Sequence, residues 1–102
     1  MSDYGIRFRP EVIEDLGRAF EWYESQLSGL GDRFLGEFFD ALTFIQSSAE
    51  TPRKVFEDFR RVLMKRFPFA VWYEVHAGTA VILLVFDCRQ DPNKLTRLLQ
   101  SR

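Results

Sequence analysis

The sequence predicts an α+β fold, ordered β-α-α-β-β-β with a closing helix, in which a helical hairpin packs on one face of a small antiparallel sheet. Three observations carry that reading. Val12, Leu16, Ala19, Phe20, Tyr23 and Leu27 recur at three- and four-residue spacing, as do Phe34, Leu35, Phe38, Leu42 and Ile45; each series lines one face of a helix. After Pro52 the period falls to two, with Phe69, Val71, Tyr73 and Val75 alternating against Ala70, Trp72, Glu74 and His76. The run "TAVILLVFD" (79–87) is apolar on both faces, as a central strand should be.

Taken in order, residues 6–9 alternate briefly and predict a short first strand. Pro10 suits the first turn of a helix, with Glu11, Glu14 and Asp15 near its positive N-terminal end. "SGLGD" stops that helix at Gly29 and Gly31, and the second helix ends in "SSAETP". Residues 59–67 predict a strand, although neither of its faces is cleanly apolar. Ala77-Gly78 forms a tight turn. Asp91-Pro92 starts a terminal helix with Leu95, Leu98 and Leu99 on one side.

A two-residue turn would pair position 76 with 79 and 72 with 83. Phe69, Val71, Tyr73 and Val75 then share the core face with Ile82, Leu84 and Phe86. Trp72 and Glu74 share the other with Val81, Leu83, Val85, Asp87 and Arg89. A three-residue turn would exchange these faces. The second face is too apolar to be bare, so the terminal helix or a partner should cover it.

The length of 102 residues predicts one domain, 1–102, and eleven phenylalanines make its core unusually aromatic. No apolar run is long enough to span a bilayer and no charged-then-apolar leader opens the chain, so a cytoplasmic protein is expected. Cys88 has no cysteine to bond with, and with His76 the only histidine, a Cys/His zinc site is excluded. The net charge of −1 hides a division. Residues 1–50 carry four Arg/Lys against ten Asp/Glu, and residues 51–102 carry ten against five. Such asymmetry hints at a polyanionic or charge-matched partner, or simply at acidic wet faces on the helices.

Few residues could carry chemistry. His76 sits beside the turn and reads as a solvated loop residue, and "GLGD" reads as a helix connector rather than a phosphate loop. Asp87 and Asp91 flank Arg89, a spacing better suited to pairing with arginine or capping a helix than to holding a metal. The cations remain. Arg60, Arg61, Lys65 and Arg66 fall on one strand, Arg61 and Lys65 to one face, Arg60 and Arg66 to the other. They either protect an edge strand by charge or form an anion-binding surface with Arg89, whose planar fork bonds an anion through two donors. Without a usable histidine, a ribonuclease here would rely on Arg61, Lys65, Arg89 and Tyr73.

The order "RRVLMKRFPFAVWYEV" then "ILLVFDCRQDP", preceded by "AFEWYESQLSGLGDRFLGEF", resembles the RelE/ParE family of type II toxin–antitoxin toxins, also called plasmid stabilisation proteins. The resemblance covers roughly residues 6 to 97. Arg60 and Arg61 match the family's second-strand arginines. Phe67, Pro68 and Phe69 match its Phe-Pro-Tyr step without the hydroxyl, Tyr73 its strand tyrosine, and Arg89 the arginine before Asp-Pro. Asp87 stands where this branch commonly has histidine, and would pair with Arg89 or Arg61. The tryptophan expected after Asp-Pro is absent, with Leu95 nearest.

The resemblance implies a bacterial growth-inhibiting toxin neutralised by a cognate antitoxin, in an assembly such as a heterotetramer, with no cofactor, metal or membrane. RelE-like members cut messenger RNA on the ribosome; ParE-like members bind and poison DNA gyrase. The slight net acidity and the core position of Tyr73 favour the gyrase reading over the ribonuclease. A third reading is an orphan of the same fold that only binds a partner. The expected partner-binding set is Arg60, Arg61, Lys65, Arg66, Trp72, Leu83, Asp87 and Arg89, with the antitoxin expected on the apolar face around Trp72, Leu83 and Val85.

Overall fold

The computed structural model describes residues 3–102. In chain order it contains β1 (Gly5–Phe8), α1 (Pro10–Gln26), α2 (Leu30–Ser48), β2 (Arg60–Leu63), β3 (Phe69–His76), β4 (Thr79–Asp87) and α3 (Pro92–Ser101). The strands form one sheet ordered β1-β4-β3-β2. β2, β3 and β4 are antiparallel, as expected, whereas β1 runs parallel to β4, so the sheet is mixed. Parallel neighbours need a long crossover, and the helical hairpin with β2 and β3 provides it. No helix among the described residues is long and apolar enough to cross a membrane.

Pro10 opens α1, where its missing N–H leaves no bond unmade. Gly29 turns the chain into α2 at φ 90°. The Glu24 carboxylate then accepts from the backbone N–H groups of Gly29 (2.9 Å) and Gly31 (3.0 Å), replacing the side-chain cap that Gly29 cannot provide. A Cβ on Gly31 would lie 2.7 Å from the Phe20 ring and 2.9 Å from the Glu24 carboxylate. Gly31→Ala should therefore destabilise by about 1–3 kcal/mol in spite of its better helix propensity. Gly36 has open space around it, so Gly36→Ala should stabilise slightly. Urea denaturation of the two variants checks this pair.

The hairpin packs on the sheet through aromatic rings. Phe34 is fully buried, with Tyr23, Phe67 and Phe69 centred 5.6, 5.4 and 5.0 Å from it. Val12, Phe38, Ile45, Val71 and Tyr73 complete this core.

Register decides which β4 residues reach it. Ala77 and Gly78 have positive φ and close the expected two-residue turn, pairing His76 with Thr79 and Tyr73 with Ile82. There the ladder slips. Trp72 pairs with Leu84 and Val71 with Val85, leaving Leu83 as the extra residue of a bulge. The expected pairing of 72 with 83 is thus displaced by one. Val85 joins the hairpin core, while Leu84 and Phe86 join Trp72 and Leu83 on the opposite face. The expectation had Val85 exchanged with Leu84 and Phe86, because a strand apolar on both faces carries no alternation to mark a bulge.

That opposite face is covered by α3 through Leu95, Leu98 and Leu99. Asp91 caps α3, accepting from the Asn93 N–H at 2.9 Å. Arg102 pins the far end. Its guanidinium meets Asp15 at 2.6 and 3.1 Å and the Leu83 carbonyl at 3.2 Å. Asp15 also accepts from the Val85 N–H and from Arg18. Its carboxylate lies buried between α1, β4 and the end of α3, where it ties the three together.

Candidate partner-binding surface

The basic stretch does not form one surface. β2 ends at Leu63, short of the expected residue 67. Pro68 lacks an N–H and Phe67 turns into the core, so Lys65 and Arg66 lie in the β2–β3 connection. The expected division of faces therefore holds for Arg60 and Arg61 and fails for Lys65 and Arg66.

Each cation has its own neighbours. Arg60 donates to the carbonyls of Glu50 (3.1 Å) and Pro52 (2.7 Å), just beyond the end of α2. Chain leaving a helix C-terminus presents carbonyls that no helical N–H reaches, and a cation there also favours the helix dipole. Arg60 is thus engaged by the fold. Arg61 is exposed, with its guanidinium carbon 5.6 Å from the Trp72 ring centroid, within cation–π reach. Lys65 lines an open apolar groove of about 270 Å³ between α2 and β2, with Glu37, Asp40, Phe44 and Leu63. The Arg66 backbone N–H donates to Glu37 at 2.9 Å, and its side chain is exposed.

Arg89 is held by Asp87, which accepts from its backbone N–H (3.0 Å), Nε (2.9 Å) and Nη2 (2.8 Å). The Arg89 hydrogen bond holds the Asp87 carboxyl below the ordinary carboxylate value, against a smaller upward push from burial. Of the two arginines considered for Asp87, the partner is Arg89. Because of the bulge, Asp87 pairs opposite Phe69 on the hairpin side, near Tyr23. It does not share the Trp72 face as expected.

Acid stability should report this pair. A depressed folded pKa contributes stability above the unfolded value, and that contribution is lost as pH falls through the folded pKa. Asp87→Asn should therefore flatten the decline of stability with pH below the ordinary carboxylate range. Thermal melts of both proteins across that range test it.

Tyr73 is fully buried and its hydroxyl donates to the Ala49 carbonyl at 2.6 Å. Burial pushes its pKa up to about 12. Trp72 and Leu83 are buried beneath α3, so the face expected to receive an antitoxin is already occupied, and Val85 lies on the other side of the sheet. His76 is exposed, as expected, but it ends β3 rather than lying in a loop, with its ring 3.3 Å from Glu74.

Two residues escaped the sequence reading. Leu63 and Phe44 are 57% and 41% exposed. They flank the groove beside Lys65. Leu63 follows Arg61 by two and so shares its strand face, which was a usable signal. Among the described residues β2 is an edge strand, paired with β3 alone, so its outer backbone groups are open to an added strand.

No protein-family model and no curated protein matches this chain. A solved structure described as the chromosomal ParDE TA system from P. aeruginosa superimposes with a TM-score of 0.73, covering 82% of this chain and 95% of that one at 14% identity. This chain has the RelE/ParE-like fold. On that RelE/ParE-like frame, the exposed groups at one sheet edge are Arg61, Leu63 and Lys65, beside Phe44 of α2. Cations and apolar contacts next to an open edge suit a partner segment carrying both acid and hydrophobic side chains.

Proposed function

We propose that this chain is the toxin of a type II toxin–antitoxin system, arresting bacterial growth by binding DNA gyrase and neutralised by a cognate antitoxin. The observation that carries a binding mode over catalysis is the condition of the nuclease candidates. Tyr73 is buried with its hydroxyl bonded to a backbone carbonyl, and the Arg89 charge is met by Asp87. A general acid or base must reach the proton that it transfers, and Tyr73 lacks that access.

Arg61, Lys65 and Arg66 are the partner-facing members of the expected set. Arg60 and Trp72 support that surface from within, Leu83 lies beneath α3 away from it, and Asp87 sets the presentation of Arg89. With α3 over the Trp72 face, the antitoxin's place is the β2 edge and the groove between Phe44 and Leu63. Purified protein should inhibit gyrase supercoiling, weakly in Arg61→Ala, and leave ribosome-bound message intact in a translation extract. Message cleavage that disappears in Arg61→Ala would replace this reading with the endoribonuclease.

A further inference from the structure

A polar cavity of about 170 Å³ lies where α1, β4 and α3 meet. Its floor includes Asp15 and Arg102, whose side chains are 4% and 9% exposed. Its rim is exposed and carries Arg18 from α1, Lys94 from α3 and Gln90 just before α3. No residue of β2 lines it, so it is separate from the edge assigned above to the antitoxin.

Its hydrogen bonds are unevenly filled. Asp15 accepts from the Val85 N–H at 3.1 Å, from Arg18 Nη2 at 2.9 Å and twice from Arg102. Asp87, the second lining carboxylate, accepts three times from Arg89. Each of these four carboxylate oxygens thus has a donor. Donors, by contrast, are left over. Among the described residues the Lys94 ammonium and the Gln90 side-chain amide make no hydrogen bond. Arg18 uses Nη2 alone, and Arg102 uses both terminal nitrogens but not Nε.

Spare donors beside carboxylates that are already engaged suit an anion. The charge count gives its valence. With Arg89 set against Asp87, four cations, Arg18, Lys94, Arg102 and Arg89, meet two carboxylates, so a dianion balances them. Phosphate combines that charge with acceptor oxygens pointing in several directions, which guanidinium and ammonium groups on separate elements can reach together. Size limits the ligand further. A water's share of liquid is about 30 Å³, so the cavity has room for one phosphate group and little more. A nucleic-acid backbone would call for cations repeated along a track, whereas these are grouped around one cavity.

We propose that the cavity between α1, β4 and α3 binds a single phosphate dianion, free or as the head of a small monoester, through Arg18, Lys94 and Gln90. The inference goes beyond the toxin reading and stands whether or not the chain arrests growth. Because its donors come from both sides of the cavity, the bound anion bridges α1 to α3. It should therefore raise the melting temperature by mass action.

Calorimetric titration of the full chain with inorganic phosphate, against chloride at matched ionic strength, tests it. Saturable binding at about 1 mM or tighter is expected, on the scale of two or three charge-assisted hydrogen bonds. Lys94→Gln and Arg18→Gln should each weaken it by about tenfold. Arg53→Gln, an exposed cation away from the cavity, should leave it unchanged. Lys94 makes no side-chain bond within the fold, so a loss there cannot be laid to unfolding. Adenosine monophosphate binding more tightly than inorganic phosphate would support a monoester as the ligand, and equal or weaker binding would support free phosphate. No saturable binding of either, affinity unmoved by both cavity variants, or an equal loss in Arg53→Gln would overturn the proposal.

Discussion

Arg102→Ala is expected to destabilise the protein by about 3–5 kcal/mol, the range for removing one partner of a buried ion pair. The Asp15 and Arg102 side chains are 4% and 9% exposed. Removing the guanidinium would leave Asp15 with the Val85 N–H and with Arg18, whose own side chain is 69% exposed and poorly placed to neutralise a buried charge. It would also free the end of α3, loosening the cover over Trp72, Leu84 and Phe86. The double variant Asp15→Asn/Arg102→Gln keeps the shapes and removes both charges, so it should lose less than Arg102→Ala alone. Urea denaturation of the three proteins separates an uncompensated charge from a simple loss of contact. A change within 0.5 kcal/mol for Arg102→Ala would show the pin to be dispensable.

Phe34→Ala should lose about 3–5 kcal/mol, as expected for truncating a buried aromatic whose neighbours relax only partly. The three rings around it come from α1, from the β2–β3 connection and from β3. The cavity would thus open where the hairpin meets the sheet. Total stability of a small domain is about 5–15 kcal/mol, so the variant should be marginal at ambient temperature. Phe44→Ala, on the same helix but 41% exposed, should change stability by less than about 1 kcal/mol. Equal losses in the two variants would contradict the assignment of the core.

How far the sequence carried follows from which residues obey a period. The two helical stripes and the Phe69–Val75 alternation were legible because each lines a single buried face. The terminal helix was legible from Asp91-Pro92, whose carboxylate does cap it. The bulge at Leu83 was hidden because 79–87 is apolar on both sides, and that one slip relocated Leu84, Val85, Phe86 and Asp87. The parallel pairing of β1 was also hidden, since a four-residue strand carries no mark of its neighbour. Arg60 and Asp15 illustrate a third limit. Their partners are backbone carbonyls ten and eight residues away in one case, and a side chain 87 residues away in the other. Only the fold brings such groups together.

The cation cluster was readable as residue types but not as a surface. Arg60 serves the chain beyond α2, Arg61 lies over Trp72, Arg89 is matched by Asp87, and Lys65 and Arg66 leave the strand. The exposed remainder, beside Leu63 and Phe44, is what the binding reading rests on.

The most direct test of that reading is a DNA-damage reporter in bacterial cells induced to express this chain alone. Growth arrest with a strong reporter signal, both reduced in Arg61→Ala, is the predicted result. Normal growth under full expression, or arrest with a silent reporter, would contradict it.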